Sequence, residues 1–183
     1  ACLFAGAQLS RARVETFRHN DLGDLEAKLI EMRPDARRAM ILTDGVFSMD
    51  GDLAPLPGLL TLADQHNAWT LVDDAHGVGV VAGGRGSAHA FDPPARAPLQ
   101  MGTLSKSLGS YGGYLCASTA VCELLRTRAR PLVFTTAPAP ASIAAALTAL
   151  DLIENDAGMC GRPTLMARRF CAAAGLPEPA SPI

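Results

Sequence analysis

The sequence predicts an α/β fold: a three-layer α/β/α arrangement around a mostly parallel sheet. Two patterns carry that prediction. Short apolar runs of strand length alternate with longer segments whose apolar residues recur at helical spacing, and such alternation places helices between successive parallel strands. The residues with the most obvious chemistry (Ser48, Asp73, His76 and Lys106) each follow a predicted strand. Parallel sheets bind ligands just beyond the carboxyl ends of their strands. Composition permits a sizeable core, with 49% hydrophobic and 19% charged residues in 183. That length favours one domain, or one domain and part of another.

The elements follow from local pattern. Residues 14–17 read as a short strand. His19, Asn20 and Asp21 form a turn, and Asp21 caps a helix to about Met32, with Leu22, Leu25, Leu29 and Met32 on one face. Pro34 ends it. Residues 39–43 are a strand, followed by a loop from Asp44 to Asp52 too rich in Asp and Gly to stay extended. Residues 56–67 are a helix, 69–72 a buried strand, 79–87 a glycine-rich segment carrying Arg85, and 99–102 a strand. A returning strand covers 113–117, a helix 119–128, a short strand 132–134, a long helix 139–154 and a last helix 165–174.

Charge and composition exclude several functions. A net charge of -2 and few aromatic residues argue against a nucleic-acid surface. The longest apolar helical run, residues 139–153, is too short to cross a bilayer, and no leader pattern precedes Leu3 and Phe4. The five cysteines form no C-x-x-C and read as reduced, buried thiols of a cytosolic protein. Asp73, Asp74, His76, His66 and His89 lack a metal-ligand spacing. Asp73-Asp74-Ala75-His76 also invites a nucleotide-site reading, but no G-x-x-x-x-G-K-[ST] lies upstream.

Lys106 stands out. It is one of two lysines, the other being Lys28 on a helical face, while arginine supplies the remaining cationic side chains. A lysine retained in GTLSKSLGSYGGY suggests a need for an amine, which can lose its proton and attack a carbonyl as a guanidinium cannot. We read it as a Schiff-base lysine for pyridoxal phosphate (PLP); the alternative is a solvated loop lysine. Asp73 closes an apolar strand, where a carboxylate would hold a pyridine nitrogen protonated. His76, three residues on, would address the same ring. The alternative for both is a turn cap beside a satisfied histidine.

Taken together, FRHNDLGDLE, TDGVFSMDGDLAPL, LVDDAHGVGVVAGGRGSAH, GTLSKSLGSYGGYL and FTTAPAPA resemble the α-oxoamine synthase family of PLP enzymes, fold type I. The match covers most of residues 3–153, in family order. It implies a PLP-binding large domain over residues 1–154 and the start of a smaller C-terminal domain over 155–183, so that the chain corresponds to the middle of a longer protein. The resemblance is nearest to members that condense L-alanine with pimeloyl-CoA or its carrier-protein thioester, releasing carbon dioxide and the free thiol. It assigns Lys106 to the imine and proton transfer, Asp73 to the ring nitrogen, His76 and Ser48 to the phenolic oxygen, and Thr103 to the phosphate. Thr136 would reach the neighbouring subunit's phosphate across a homodimer interface. The ring-stacking histidine and the carboxylate-binding arginine of that family have no counterpart here. Two rivals remain: a member using glycine or serine, and an inert dimerising module of the same fold.

Overall fold

A computed structural model describes residues 2–183. Four strands, β1 (Met40–Asp44), β2 (Trp69–Asp73), β3 (Leu99–Thr103) and β4 (Gly113–Cys116), lie side by side in sequence order. The first three run parallel and β4 returns antiparallel to β3. Asp44 pairs with Asp73 and Asp73 with Met101, so the carboxyl ends of the parallel strands open onto one edge. The helices are α1 (Cys2–Leu9), α2 (Leu22–Met32), α3 (Leu56–Gln65), α4 (Thr119–Arg128), α5 (Arg130–Val133), α6 (Pro140–Asn155) and α7 (Ala157–Ala174).

Alternation along β1 and β2 turns Ile41, Thr43, Thr70 and Val72 inward. Leu25 and Leu29 of α2 and Leu56, Leu59, Leu62 and Ala63 of α3 join Ile41 and Val72 in one core. Each fully buried leucine contributes about 1.5–3 kcal/mol. This cluster holds β1 and β2 in place and so fixes where their carboxyl ends open.

The helix predicted after Asp21 forms as expected, and the Asp21 carboxylate accepts the Asp24 N–H at 2.9 Å. Arg18 pairs with Asp21 at 2.9 Å in the same turn. Asp21→Ala is expected to cost about 1 kcal/mol, read as a lower urea midpoint with unchanged slope. The preceding turn is tied to the loop after β1: His19 Nε2 lies 2.8 Å from Asp52 Oδ2, and Asn20 Nδ2 donates to the same oxygen at 2.7 Å.

Several expectations are corrected. Residues 14–17 form no strand; no sheet neighbour is offered to them, and Val14, Glu15 and Thr16 are exposed. Residues 132–134 are not a strand either. Pro131 stands in the first turn of α5, where its missing N–H costs nothing and its fixed φ suits a helix. The last helix begins at Ala157 rather than 165, because Asp156 caps it by accepting the Met159 N–H at 2.8 Å. Helix α1 was not foreseen. The cysteines are all free, but only Cys160 is buried; Cys2 and Cys116 are exposed. Among the described residues, no helix is long and apolar enough to cross a membrane.

Candidate active site

The carboxyl edge of the sheet gathers the candidate residues. Asp73 is the last residue of β2, and its Oδ1 accepts the Ala75 N–H at 3.0 Å. The turn that follows closes when Gly77 N–H donates to Asp74 O at 3.0 Å, leaving His76 at its apex. Lys106 lies three residues beyond the end of β3, exposed, in a loop returning to β4. That loop is braced internally: Leu104 N–H donates to Gly112 O at 2.8 Å, Ser110 N–H to Leu104 O at 2.8 Å and Gly109 N–H to Lys106 O at 3.0 Å. Ser107 Oγ donates to Val78 O at 2.6 Å, tying the lysine loop to the segment after His76.

Electrostatics links these groups. Burial, and secondarily the Lys106 ammonium, push the His76 imidazole below its ordinary value, while Asp44 and Asp73 pull it up. His76 is therefore mainly neutral at pH 7 and available to accept or stack. Asp44 is raised, first by burial and then by the Asp73 charge beside it, and lowered again by His76 and Lys106. Asp44, Asp73, His76 and Lys106 thus share one field at the end of three parallel strands.

Asp44 was missed in the sequence, where it reads as the start of an acidic loop. Its only signal is that two strands both end in aspartate, which the register then places side by side. Tyr114 was missed too. It pairs with Gly102, and a Cβ there would lie 2.6 Å from its Cζ, so the ring lies across that glycine. Burial foremost, with the nearby Asp74, raises its phenol to about 12, leaving it neutral at physiological pH.

The remaining assignments divide. Thr103 ends β3, and its hydroxyl belongs to the lysine turn: Oγ1 donates to Gly112 O at 3.0 Å, accepts the Ser105 N–H at 3.2 Å and lies 2.6 Å from Ser105 Oγ. Ser48 sits exposed in the turn after β1. Thr136 is exposed in the connection between α5 and α6, and no hydrogen bond joins it to Lys106, Asp73 or His76 among the described residues. A surface hollow of about 370 Å³ lined by Trp69, Pro98 and Val121 lies at the opposite, amino end of β2.

The donor set fits PLP. An amine, a carboxylate and an imidazole share one edge, with hydroxyls in the same loop as the amine. Asp73 Oδ2, the His76 ring nitrogens and Lys106 Nζ have no hydrogen-bond partner among the described residues. A reactive carbonyl, a ring nitrogen and a phosphate are the groups such a set would serve.

Comparison with known proteins bears on the same point. The model of the family described as aminotransferase class I and II matches residues 4–174. The chain is 69% identical over 183 residues to the 8-amino-7-oxononanoate synthase of Maricaulis maris, covering all of this chain and 47% of that protein. It therefore spans about half the length of the curated relatives it matches. A serine palmitoyltransferase from S. paucimobilis with a bound PLP–myriocin aldimine superposes with a TM-score of 0.88 at 31% identity, covering 96% of this chain and 45% of the other. The 8-amino-7-oxononanoate synthase of Francisella tularensis gives 0.73 at 26% identity, with 97% and 52% covered.

Proposed function

Because the chain belongs to the aminotransferase class I and II family, we propose that it carries the PLP site of an α-oxoamine synthase acting on L-alanine and a pimeloyl thioester to form 8-amino-7-oxononanoate. The observation that carries this is the shared field of Lys106, His76 and Asp73 at the carboxyl ends of β2 and β3. The 69% identity to an 8-amino-7-oxononanoate synthase supports the choice of substrates.

Bound here, PLP would supply an electron sink for a carbanion at the amino acid's α-carbon. Asp73 keeps one carboxylate oxygen on the Ala75 N–H and offers the other to a ring nitrogen, favouring its protonated form. His76, kept largely neutral, orients the ring and its phenolic oxygen, with Ser48 adding a hydroxyl. Lys106 would hold the cofactor's carbonyl carbon, and its free Nζ would be the base that takes and returns the α-proton. Thr103 holds the phosphate on one side. Thr136 would serve the partner's phosphate in a homodimer. Residues 1–154 form the cofactor-binding domain and 155–183 begin a smaller one. The protein is cytoplasmic, in keeping with five free cysteines.

The full-length protein, given PLP, L-alanine and pimeloyl-CoA, should release free thiol and carbon dioxide in equal amounts. Glycine or serine should react far more slowly. Thiol release with glycine alone would move the assignment to another member of the family, and none with any amino acid would remove it.

A further inference from the structure

The residue next to Asp73 is buried, charged and unused by the mechanism above. Asp74 is 6% exposed and Ser87 is fully buried. Ser87 N–H donates to Asp74 Oδ2 at 2.9 Å across thirteen residues of chain. Asp74 Oδ1 and Ser87 Oγ are both buried without a hydrogen-bond partner, facing the same small space: a Cβ on Gly45 would strike both. Glycines wall that space. A Cβ on Gly77 would collide with Oδ1 and one on Gly86 with Oδ2. Asp74 N–H meanwhile donates to Met101 O at 2.8 Å, and Asp74 O accepts from Gly77 and Val78. One residue thus joins β3, the turn carrying His76, the loop after β1 and the start of the segment after the glycine-rich stretch.

We propose that Asp74 is a positioning residue: clasping Ser87 inside the glycine wall, it fixes the turn that presents His76 and the carboxylate of Asp73 to the cofactor. It touches neither cofactor nor substrate. Its consequence for catalysis rests on the reading of His76 given above; its effect on His76 rests on the geometry alone. A carboxylate suits the task because one oxygen accepts the Ser87 N–H while the other faces the Ser87 hydroxyl, and an asparagine side chain can place an oxygen and an amide at the same two points. Alanine repeats neither.

The test is the titration of the His76 imidazole, followed by NMR in the full-length protein without cofactor and assigned with His76→Gln. The wild-type imidazole titrates below the ordinary value because it is partly buried. Asp74→Ala should loosen the turn, expose the ring and move the titration up by roughly half a pH unit or more. Asp74→Asn should restore the wild-type value. Ser87→Ala, which keeps the backbone bond, should move it in the same direction by less, and it serves where Asp74→Ala does not fold. In the loaded enzyme, the variants that shift His76 should weaken PLP binding about tenfold, with Asp74→Asn near wild type. A His76 titration unmoved in Asp74→Ala and Ser87→Ala, or an Asp74→Asn variant as shifted as Asp74→Ala, overturns the proposal. Because the NMR readout needs no cofactor, failure of the PLP assignment leaves this result intact, and an active enzyme with unmoved His76 removes only Asp74's role.

Discussion

Lys106→Ala in the full-length, PLP-loaded protein is expected to lose the absorbance near ~400–430 nm that reports a lysine-bound cofactor, and turnover is expected to fall by at least about 10³-fold. The side chain is exposed and makes no bond to the rest of the chain among the described residues. Folding should therefore shift by no more than about 0.5 kcal/mol, and the loss can be read as chemistry. Lys106→Arg should be as inactive as the alanine variant, because a guanidinium keeps its charge and cannot form the bond. Lys28, the other lysine, lies within α2 and offers no substitute. A band that survives in Lys106→Ala would place the reactive amine elsewhere and dissolve the site.

The second large effect concerns pH and stability. Burial pushes the Asp74 carboxyl from 3.8 to about 6, against the lowering influence of Ser87 and with a further push from Asp73; the half-buried phenol of Tyr114 feels the same charge. A carboxyl with a raised folded value favours the fold in its neutral form. That contribution is complete below 3.8 and is lost as pH rises through about 6. A shift of about two pH units corresponds to about 3 kcal/mol. Asp74→Asn cannot titrate, so its stability relative to wild type should improve by about 3 kcal/mol between about pH 3 and about pH 8. Urea unfolding of both proteins across that range measures the change, and any fixed cost of the substitution cancels from it. A constant difference would mean that Asp74 ionises in the fold as easily as in water.

Reading the sequence alone succeeded where local pattern and tertiary structure agree. The leucines of α2 and α3 announce their inward faces, and Asp21 announces a helix start that its carboxylate then makes. Lys106, Asp73 and His76 could be singled out because each is an unusual residue just after an apolar run, and the structure brings them to one edge of the sheet. What escaped depends on partners distant in sequence. Nothing near Asp44 says that it will lie beside Asp73, because strand register is settled by the whole sheet. The Asp74–Ser87 contact spans a segment with no repeating pattern to betray it. Residues 132–134 misled for the opposite reason: an apolar triplet suits a strand or a helix equally, and the helix-compatible Pro131 before it decided the outcome.

The hydroxyl of Thr103 owns a single proton, and that proton is directed at the Gly112 carbonyl. The 2.6 Å contact with Ser105 must then run the other way, with serine giving and threonine receiving. Both protons of the pair are therefore committed inside the lysine loop. A phosphate oxygen only receives, so for Thr103 to hold a phosphate as proposed, its proton would have to leave the Gly112 carbonyl, forfeiting about 1 kcal/mol of bonding. That cost would fall on the loop that carries Lys106, three residues after Thr103.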